Sequence, residues 1–252
     1  MRLISFFAAV FIFVFIPLKA EINTDMQKAE ELYKAGDYNA SVLLYEKLVK
    51  EDGYRSANLY YNLGNAYFKL TDYSNSILNY ERALKMNPAD DDIRFNLELA
   101  NTHIEDKIET VPVLFYKRWF MSLRNSAGQD TWAWLFIISF FACGGLFFLF
   151  VRASGSSIKR VGFYGGIALF AVSIFMLSLA FSMRKWQSYH HEAIVFAGSV
   201  SVKSSPVENG NGLFLLHTGT KVKIVDELGS WRRIRLADGN EGWMPAADLE
   251  LI

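Results

Sequence analysis

Four hydrophobic patterns succeed one another along this chain of 252 residues. The most continuous are residues 132–151 and 161–183, neither of which contains Asp, Glu, Lys, Arg or His. Each has about the 20 apolar residues that a helix needs to cross a hydrocarbon core roughly 30 Å thick. A soluble helix of that length keeps a polar face, so the pattern predicts two membrane-spanning helices joined by a short loop, 152–160. Such a hairpin returns the chain to the side it left, placing residues 21–131 and 184–252 in one compartment. Ahead of it, residues 57–90 set Tyr60, Leu63, Gly64 and Tyr67, then Ser76, Tyr80 and Ala83, at the spacing of two antiparallel amphipathic helices. Asp72-Tyr73 supplies the turn between them and Pro88 closes the unit. Behind the hairpin the period changes to two: Val222, Ile224, Trp231, Ile234 and Leu236 alternate as half-buried strands do, punctuated by Gly219, Gly229, Asp238-Gly239 and Gly242.

The remaining apolar stretch, 1–20, starts with Arg2, runs through Leu3–Leu18 and exits at Lys19-Ala20. This is the pattern of a secretory signal, with an uncleaved anchor as the other reading. Either way the segment from Glu21 is exported. The 152–160 loop is then cytoplasmic, and both large segments face the periplasm from an inner, multi-pass membrane location.

Composition narrows the function. Lys plus Arg equals Asp plus Glu at 26 each, so no nucleic-acid or polyacidic partner is implied. The single Cys143 lies inside the first span, which excludes an internal disulfide and a Cys/His metal spacing; a packing role is expected. With no charge in either span, an ion or proton pathway is not expected. Gly162 and Gly166 form a G-x-x-x-G spacing that lets another helix come close. Gly144 and Gly145 of the first span are the expected partners within the hairpin, with dimerisation as the alternative. In the 107–131 linker Pro112 breaks the preceding helix. Phe115, Trp119, Phe120 and Leu123 then recur at helical spacing among Lys117, Arg118 and Arg124, as in an amphipathic helix at the headgroup level. Of the four His residues, His190-His191 have no third ligand in sight; Glu30-Glu31 and Asp90–Asp92 read as solvated helix-end charge. No nucleophile–base pair, phosphate loop, metal ligand set or cofactor site is legible, so no catalysis is expected.

Residues 57–90 resemble the tetratricopeptide repeat (TPR), with a weaker copy over 22–56 and a capping helix over 91–106, where Phe95, Asn96, Leu97 and Ala100 echo Tyr61, Asn62, Leu63 and Ala66. The resemblance implies an α-α superhelix over 21–106 whose first helices line a concave protein-binding groove. The groove positions are Asn58, Tyr61, Asn65, Phe68 and Lys69, and in the weaker copy Met26, Glu30, Tyr33 and Lys34. Glu30 stands where a carboxylate clamp would need a donor, so a C-terminal carboxylate is not the implied ligand. Packing inside the helix pairs is the competing role for the groove aromatics.

Residues 193–252 are similar to bacterial SH3-like domains through Gly219, Thr220, Val222, Ile224, Trp231, Ile234, Leu236, Asp238, Gly239, Gly242, Trp243, Met244 and Pro245. The implied fold is a small all-β barrel with Trp231, Trp243 and Pro245 as ligand positions; Trp243 has barrel core as its competing role. Asp248 replaces the Tyr of a polyproline groove, and bacterial members bind peptide or cell-wall glycopeptide. The whole order (signal, repeats, interfacial helix, two-span hairpin, SH3-like barrel) resembles the BatE-type TPR/SH3 membrane proteins of the Bacteroidetes aerotolerance (Bat) operon. That resemblance implies von Willebrand A-domain membrane proteins as partners, indirectly a MoxR-type ATPase, and a non-catalytic scaffold role in an envelope-stress complex. A cell-wall anchor that grips peptidoglycan through the SH3-like domain is the alternative.

Overall fold

Short polar side chains start the helices. In the computed structural model, which describes residues 24–109, 111–187 and 191–252, the chain opens with helix α1 (24–34); the expected signal over 1–20 and His190 lie outside the described residues. Asp37 caps α2 (Tyr38–Lys50) by accepting from Ala40 N, and Ser56 caps α3 (Ala57–Lys69) by accepting from Leu59 N. After α4 (Tyr73–Met86), Asp90 accepts from Asp92 N and Ile93 N to open α5 (Asp91–Asn101). Asp91 and Asp92 occupy the first turn of α5, where the helix dipole favours negative charge.

The pairs α1–α2 and α3–α4 repeat one crossing. Ser41 Oγ donates to Ala29 O at 2.8 Å, and 35 residues later Ser76 Oγ donates to Gly64 O at 2.9 Å. A Cβ at Gly64 would lie 2.7 Å from the Tyr80 ring, so only glycine lets the ring of α4 sit on the backbone of α3. Tyr80 and its equivalent Tyr45 are buried at these crossings. Burial, with the Glu30 charge behind it, pushes the Tyr45 phenol up to about 12.

Downstream, β1 (Glu192–Val195), β2 (Ser199–Lys203), β3 (Gly212–His217), β4 (Lys221–Leu228), β5 (Trp231–Arg235), β6 (Glu241–Pro245) and β7 (Leu249–Leu251) form one antiparallel sheet in the order β3-β2-β6-β5-β4-β1-β7. Val195, Val202, Leu216, Val222, Ile224, Ile234 and Met244 make its core. Asp238-Gly239 turns β5 into β6, with Gly239 at φ 97° and Gly239 N donating to Leu236 O.

The sheet and helices α1–α5 make one compact unit. Ile194 and Ile252 are buried in the same cluster as Ile77, Tyr80 and Ala83 of α4 and Ile93 and Leu97 of α5. Around that apolar contact Ser74 Oγ and Thr218 Oγ1 are 2.8 Å apart, and Lys221 Nζ bridges Glu81 (2.8 Å) and Glu192 (3.1 Å). Arg82 donates to Leu251 O at 2.6 Å and pairs with Glu250 at 3.1 Å. The sheet therefore docks on the α4 side of the repeats.

The second unit holds α6 (Phe115–Asn125), α7 (Gln129–Arg152) and α8 (Ser156–Gln187). Both α7 and α8 are long and apolar enough to cross a membrane. Helical backbone runs past the apolar limits 132–151 and 161–183, leaving Ala153–Gly155 as the connection. The expected glycine contact is corrected: nothing lies within 4 Å of a Cβ at Gly144 or Gly145. It is Gly162 whose Cβ would strike α7, at 2.8 Å from Leu146 O and 2.9 Å from Phe150 N. Cys143 packs as expected, its Sγ 3.3 Å from Gly166 O. On α6 the apolar residues divide: Phe120 and Leu123 pack with Trp132, Leu179 and Ala180, while Phe115 is 83% and Trp119 61% exposed.

Candidate partner-binding surfaces

Of the first-helix positions on α3 and α5, Asn58, Lys69 and Phe95 are exposed, whereas Tyr61 and Phe68 pack on the cluster that also takes Ile194 and Ile252 of the sheet. At the α1–α3 end, Glu30, Tyr33, Lys34, Tyr45, Asn62 and Asn65 line a cavity of about 170 Å³. Lys34 pairs with Glu30 at 2.7 Å, and Tyr33 meets Tyr38 edge-on with centroids 5.2 Å apart. Asn65 and Tyr61 are tied into a network: Tyr80 OH donates to Asn65 Oδ1 (2.6 Å), and Asn96 Nδ2 donates to Tyr61 OH (2.9 Å) and Asn65 Oδ1 (3.1 Å). This network fixes α3 against α4 and α5 and satisfies groups that the crossing half-buries.

Phe68 lies edge-on to Tyr73 and His103, whose rings stack 4.3 Å apart, so it locks the end of α5 to the α3–α4 turn. Met26 packs on the first repeat's core. Asn58 and Lys69 are exposed. Two exposed apolar residues on α5 were not among the expected groove positions: Phe95, 66% exposed, and Leu99, 39% exposed. They stand 34 residues after Tyr61 and Asn65. The same offset that aligned the capping helix with α3 contained the signal; treating α5 only as a cap hid it.

The register of the sheet brings the three SH3-like positions together. Trp231 pairs across the ladder with Pro245, and Trp243 pairs with Arg233 on one side and Lys203 on the other. Lys203 Nζ sits 5.3 Å from the centre of the Trp231 ring, a cation–π distance. These residues are half-buried or exposed, on the face opposite Ile234 and Met244, so Trp243 is not among the core residues. Arg233 pairs with Glu241 at 2.7 Å. Asp248, in place of the polyproline Tyr, lends its carbonyl to Phe196 N at 2.8 Å.

A third cluster joins the segment after α5 to the sheet, and nothing in the sequence pattern marked it. Asp106 accepts from His217 N (2.7 Å) and Thr220 Oγ1 (2.7 Å) and lies 2.8 Å from His217 Nδ1. Glu105 stands 3.5 Å from Nε2 of the same ring. Burial raises the Asp106 carboxyl, but the His217 and Thr220 donors outweigh it and hold it below its usual value. The hydrogen bond to Asp106 lifts the His217 imidazole above its usual value; partial burial opposes this, and the Asp106 and Glu105 charges add to it. Among the described residues no His, Cys, Asp and Glu side chains are grouped to hold a metal ion.

Residues 57–90 match the tetratricopeptide repeat family, and residues 198–250 match the bacterial SH3 domain family. Both are binding modules, and no enzymatic family is indicated. No curated protein matches. A solved structure described as "Crystal structure of MamA protein" is similar at 19% identity and TM-score 0.30, over 68% of this chain and 80% of that chain.

Proposed function

We propose that this protein is a non-catalytic, membrane-anchored scaffold whose repeats hold a partner protein. The observation that carries the reading is the open face of α3 and α5. Phe95 and Leu99 leave apolar area in water on α5, whose Asn96 binds Tyr61 of α3, while the sheet packs on α4. Exposed apolar side chains on a first-helix face, next to a cavity lined by hydrogen-bonding Tyr33, Asn62 and Asn65, suit a peptide or helix with an apolar anchor and a polar flank. In this reading the SH3-like domain is a small barrel, residues 1–20 export the chain, and α7–α8 form a two-span hairpin in the inner membrane. Repeats (21–106) and SH3-like domain (193–252) then share the periplasm. The likeness in domain order to BatE-type proteins supports von Willebrand A-domain membrane proteins as partners, a MoxR-type ATPase acting indirectly, and a role in aerotolerance or envelope stress.

A mild-detergent pull-down of the full-length protein from its native membrane tests this, with Phe95→Ala/Leu99→Ala as the comparison. Both side chains are exposed, so the variant keeps its fold. Membrane partners with von Willebrand A domains recovered with the parent and depleted at least tenfold with the variant are expected. Partners retained by the variant would remove the groove from the mechanism.

One observation favours a second reading. Trp231, Trp243, Pro245 and Lys203 gather on one accessible face of the sheet, a composition suited to a sugar–peptide ligand. Co-sedimentation with peptidoglycan sacculi that is lost in Trp231→Ala would make the protein a cell-wall anchor first and a scaffold second.

A further inference from the structure

The end of the helical hairpin that meets α6 holds a cation that nothing in the chain neutralises. Arg124, in the last turn of α6, is only 8% exposed, and among the described residues no carboxylate forms an ion pair with it. Neutral groups fix it in place. Its Nε donates to Asn125 Oδ1 at 2.9 Å, its guanidinium carbon lies 5.0 Å from the centre of the Trp186 ring on α8, and Trp132 Nε1 of α7 donates to Arg124 O at 3.0 Å. Burial pulls the Arg124 pKa below its ordinary value, with no neighbouring charge to oppose it. A guanidinium held out of water without a counter-charge is costly, and its planar fork suits two oxygens of a phosphate.

The surroundings indicate what carries that phosphate. Lys117 and Arg118 of α6 and Arg184 and Lys185, just before Trp186, are exposed, whereas Asp130 is the only acidic residue in 112–131 and 181–187. Four of the six Trp residues, Trp119, Trp132, Trp134 and Trp186, lie on α6, at the start of α7 or at the end of α8, the enrichment expected at headgroup level. The apolar stripe of α6 is covered on one part only: Phe120 and Leu123 pack on the hairpin, and Phe115 and Trp119 beside them are left uncovered. A soluble anion would neutralise Arg124 and leave those two rings in water. A lipid supplies both the anion and the cover.

We infer that Arg124, with the exposed cations around it, binds the phosphate of an anionic phospholipid whose acyl chains lie against Phe115 and Trp119. The inference rests on the two-span reading of α7–α8 and holds for either leaflet. Each exposed Lys or Arg strengthens the attraction to an anionic headgroup, and Arg124 fixes where the phosphate sits. The lipid is then a further partner in the joint between α6 and α8.

The test uses full-length protein in mild detergent, offered equal amounts of phosphatidylglycerol and phosphatidylcholine, with bound lipid counted by native mass spectrometry. A preference of roughly tenfold or more for phosphatidylglycerol is expected, and Arg124→Gln should abolish it. Because Arg124 is buried, Lys117→Gln/Arg118→Gln is the second variant. Both of its side chains are exposed, so it should keep the parent's melting temperature in lipid-free detergent and lower the preference by about fivefold or more. Equal binding of the two lipids, or a preference that survives both variants, overturns the inference. Displacement of the lipid by excess inorganic phosphate also overturns it, by making the site one for the free anion. Alkaline carbonate extraction of native membranes checks the two-span reading separately. Protein released by carbonate would remove that reading and this inference with it, whereas protein retained but without lipid preference would sink the lipid site alone.

Discussion

Two helical hairpins in this molecule close on a single glycine and are held by different physics. In α3–α4, Gly64 admits the Tyr80 ring, and one side of each helix is buried: Leu59, Tyr60 and Leu63 on one, Ile77, Leu78 and Ala83 on the other. The same helices spend their polar positions on Ser76–Gly64, Tyr80–Asn65 and the ion pairs of α4 to the sheet. In α7–α8, Gly162 admits Leu146 and Phe150, but apolar residues face every direction, and only Trp132 of α7 is buried. Burial drives the first pair together, since leaving water is worth roughly 25 cal/mol per Å² of apolar surface. In the membrane setting proposed above, helices apolar all round have no such drive, and close backbone approach is what remains. One glycine is thus a precondition for a hydrophobic core in the first hairpin and a point of close backbone approach, beside the Cys143–Gly166 and Trp132–Leu179 contacts, in the second.

The comparison breaks most visibly at Gly64. Gly64→Val would put its Cβ 2.7 Å from the Tyr80 ring and 3.3 Å from Ser76 O, with a branched side chain beyond. Tyr80 must leave its buried position and its bond to Asn65. A loss of about 3 kcal/mol is expected, at the upper end for overpacking a well-filled core. The melting temperature of the repeat helices, followed by circular dichroism, reads it; an unchanged value would mean that the crossing is looser than the Ser76–Gly64 bond indicates.

Gly162→Val sharpens the other half. Its Cβ would meet the backbone atoms Leu146 O and Phe150 N, which cannot swing aside, so α7 and α8 must separate. Helicity should be preserved, because the apolar surface of each helix is unchanged in detergent or lipid. The native reporter is Cys143, whose Sγ lies against Gly166 O. Its labelling rate with a lipid-soluble maleimide should rise several-fold. A rate equal to the parent's would place the helix contact away from Gly162.

How much of this was legible follows the same division. Gly64, Ser76, Tyr80 and Ala83 could be read because a helix crossing imposes small residues at fixed spacing and a repeat shows them twice. Gly162 was legible as a small residue, but its partner was not. Gly144 and Gly145 satisfy the composition rule yet sit on the wrong side of α7, and helix phase is decided by packing that sequence period does not record. That Trp231, Trp243 and Pro245 adjoin on one face of the sheet was not spelled out by their spacing; the strand register brings them together. The joint between repeats and sheet was invisible. Asp106 and His217 are 111 residues apart, and Glu81 and Lys221 are 140 apart, with the whole helical hairpin between them. Polar pairs that close a joint between separated segments leave no periodicity to detect.

That joint also supplies the smallest expected effect, and it separates the two hairpins by a variable to which α7–α8 is indifferent. His217 has its pKa raised above 6.5 by Asp106. Its contribution to docking is therefore complete below pH 6.5 and fades as pH rises through the folded-state value. Asp106 has its pKa lowered below 3.8, so its contribution is complete above pH 3.8 and fades as pH falls through its folded-state value. Docking of the sheet is thus firmest between about 3.8 and 6.5, the unperturbed values of the two groups. Glu105 is mostly exposed, and the two carboxylates facing Lys221 outweigh its burial and raise it, so the lysine stays charged across this window. Amide hydrogen exchange, corrected for its intrinsic pH dependence, should show β4 and the outer face of α4 opening more often at pH 8 than at pH 6. The slope should flatten in His217→Gln, and Asp106→Asn should raise opening at both pH values. Exchange in α7–α8 should follow neither change. A pH profile unaltered by His217→Gln would assign the docking to the Ile194 and Ile252 burial and the lysine bridge alone.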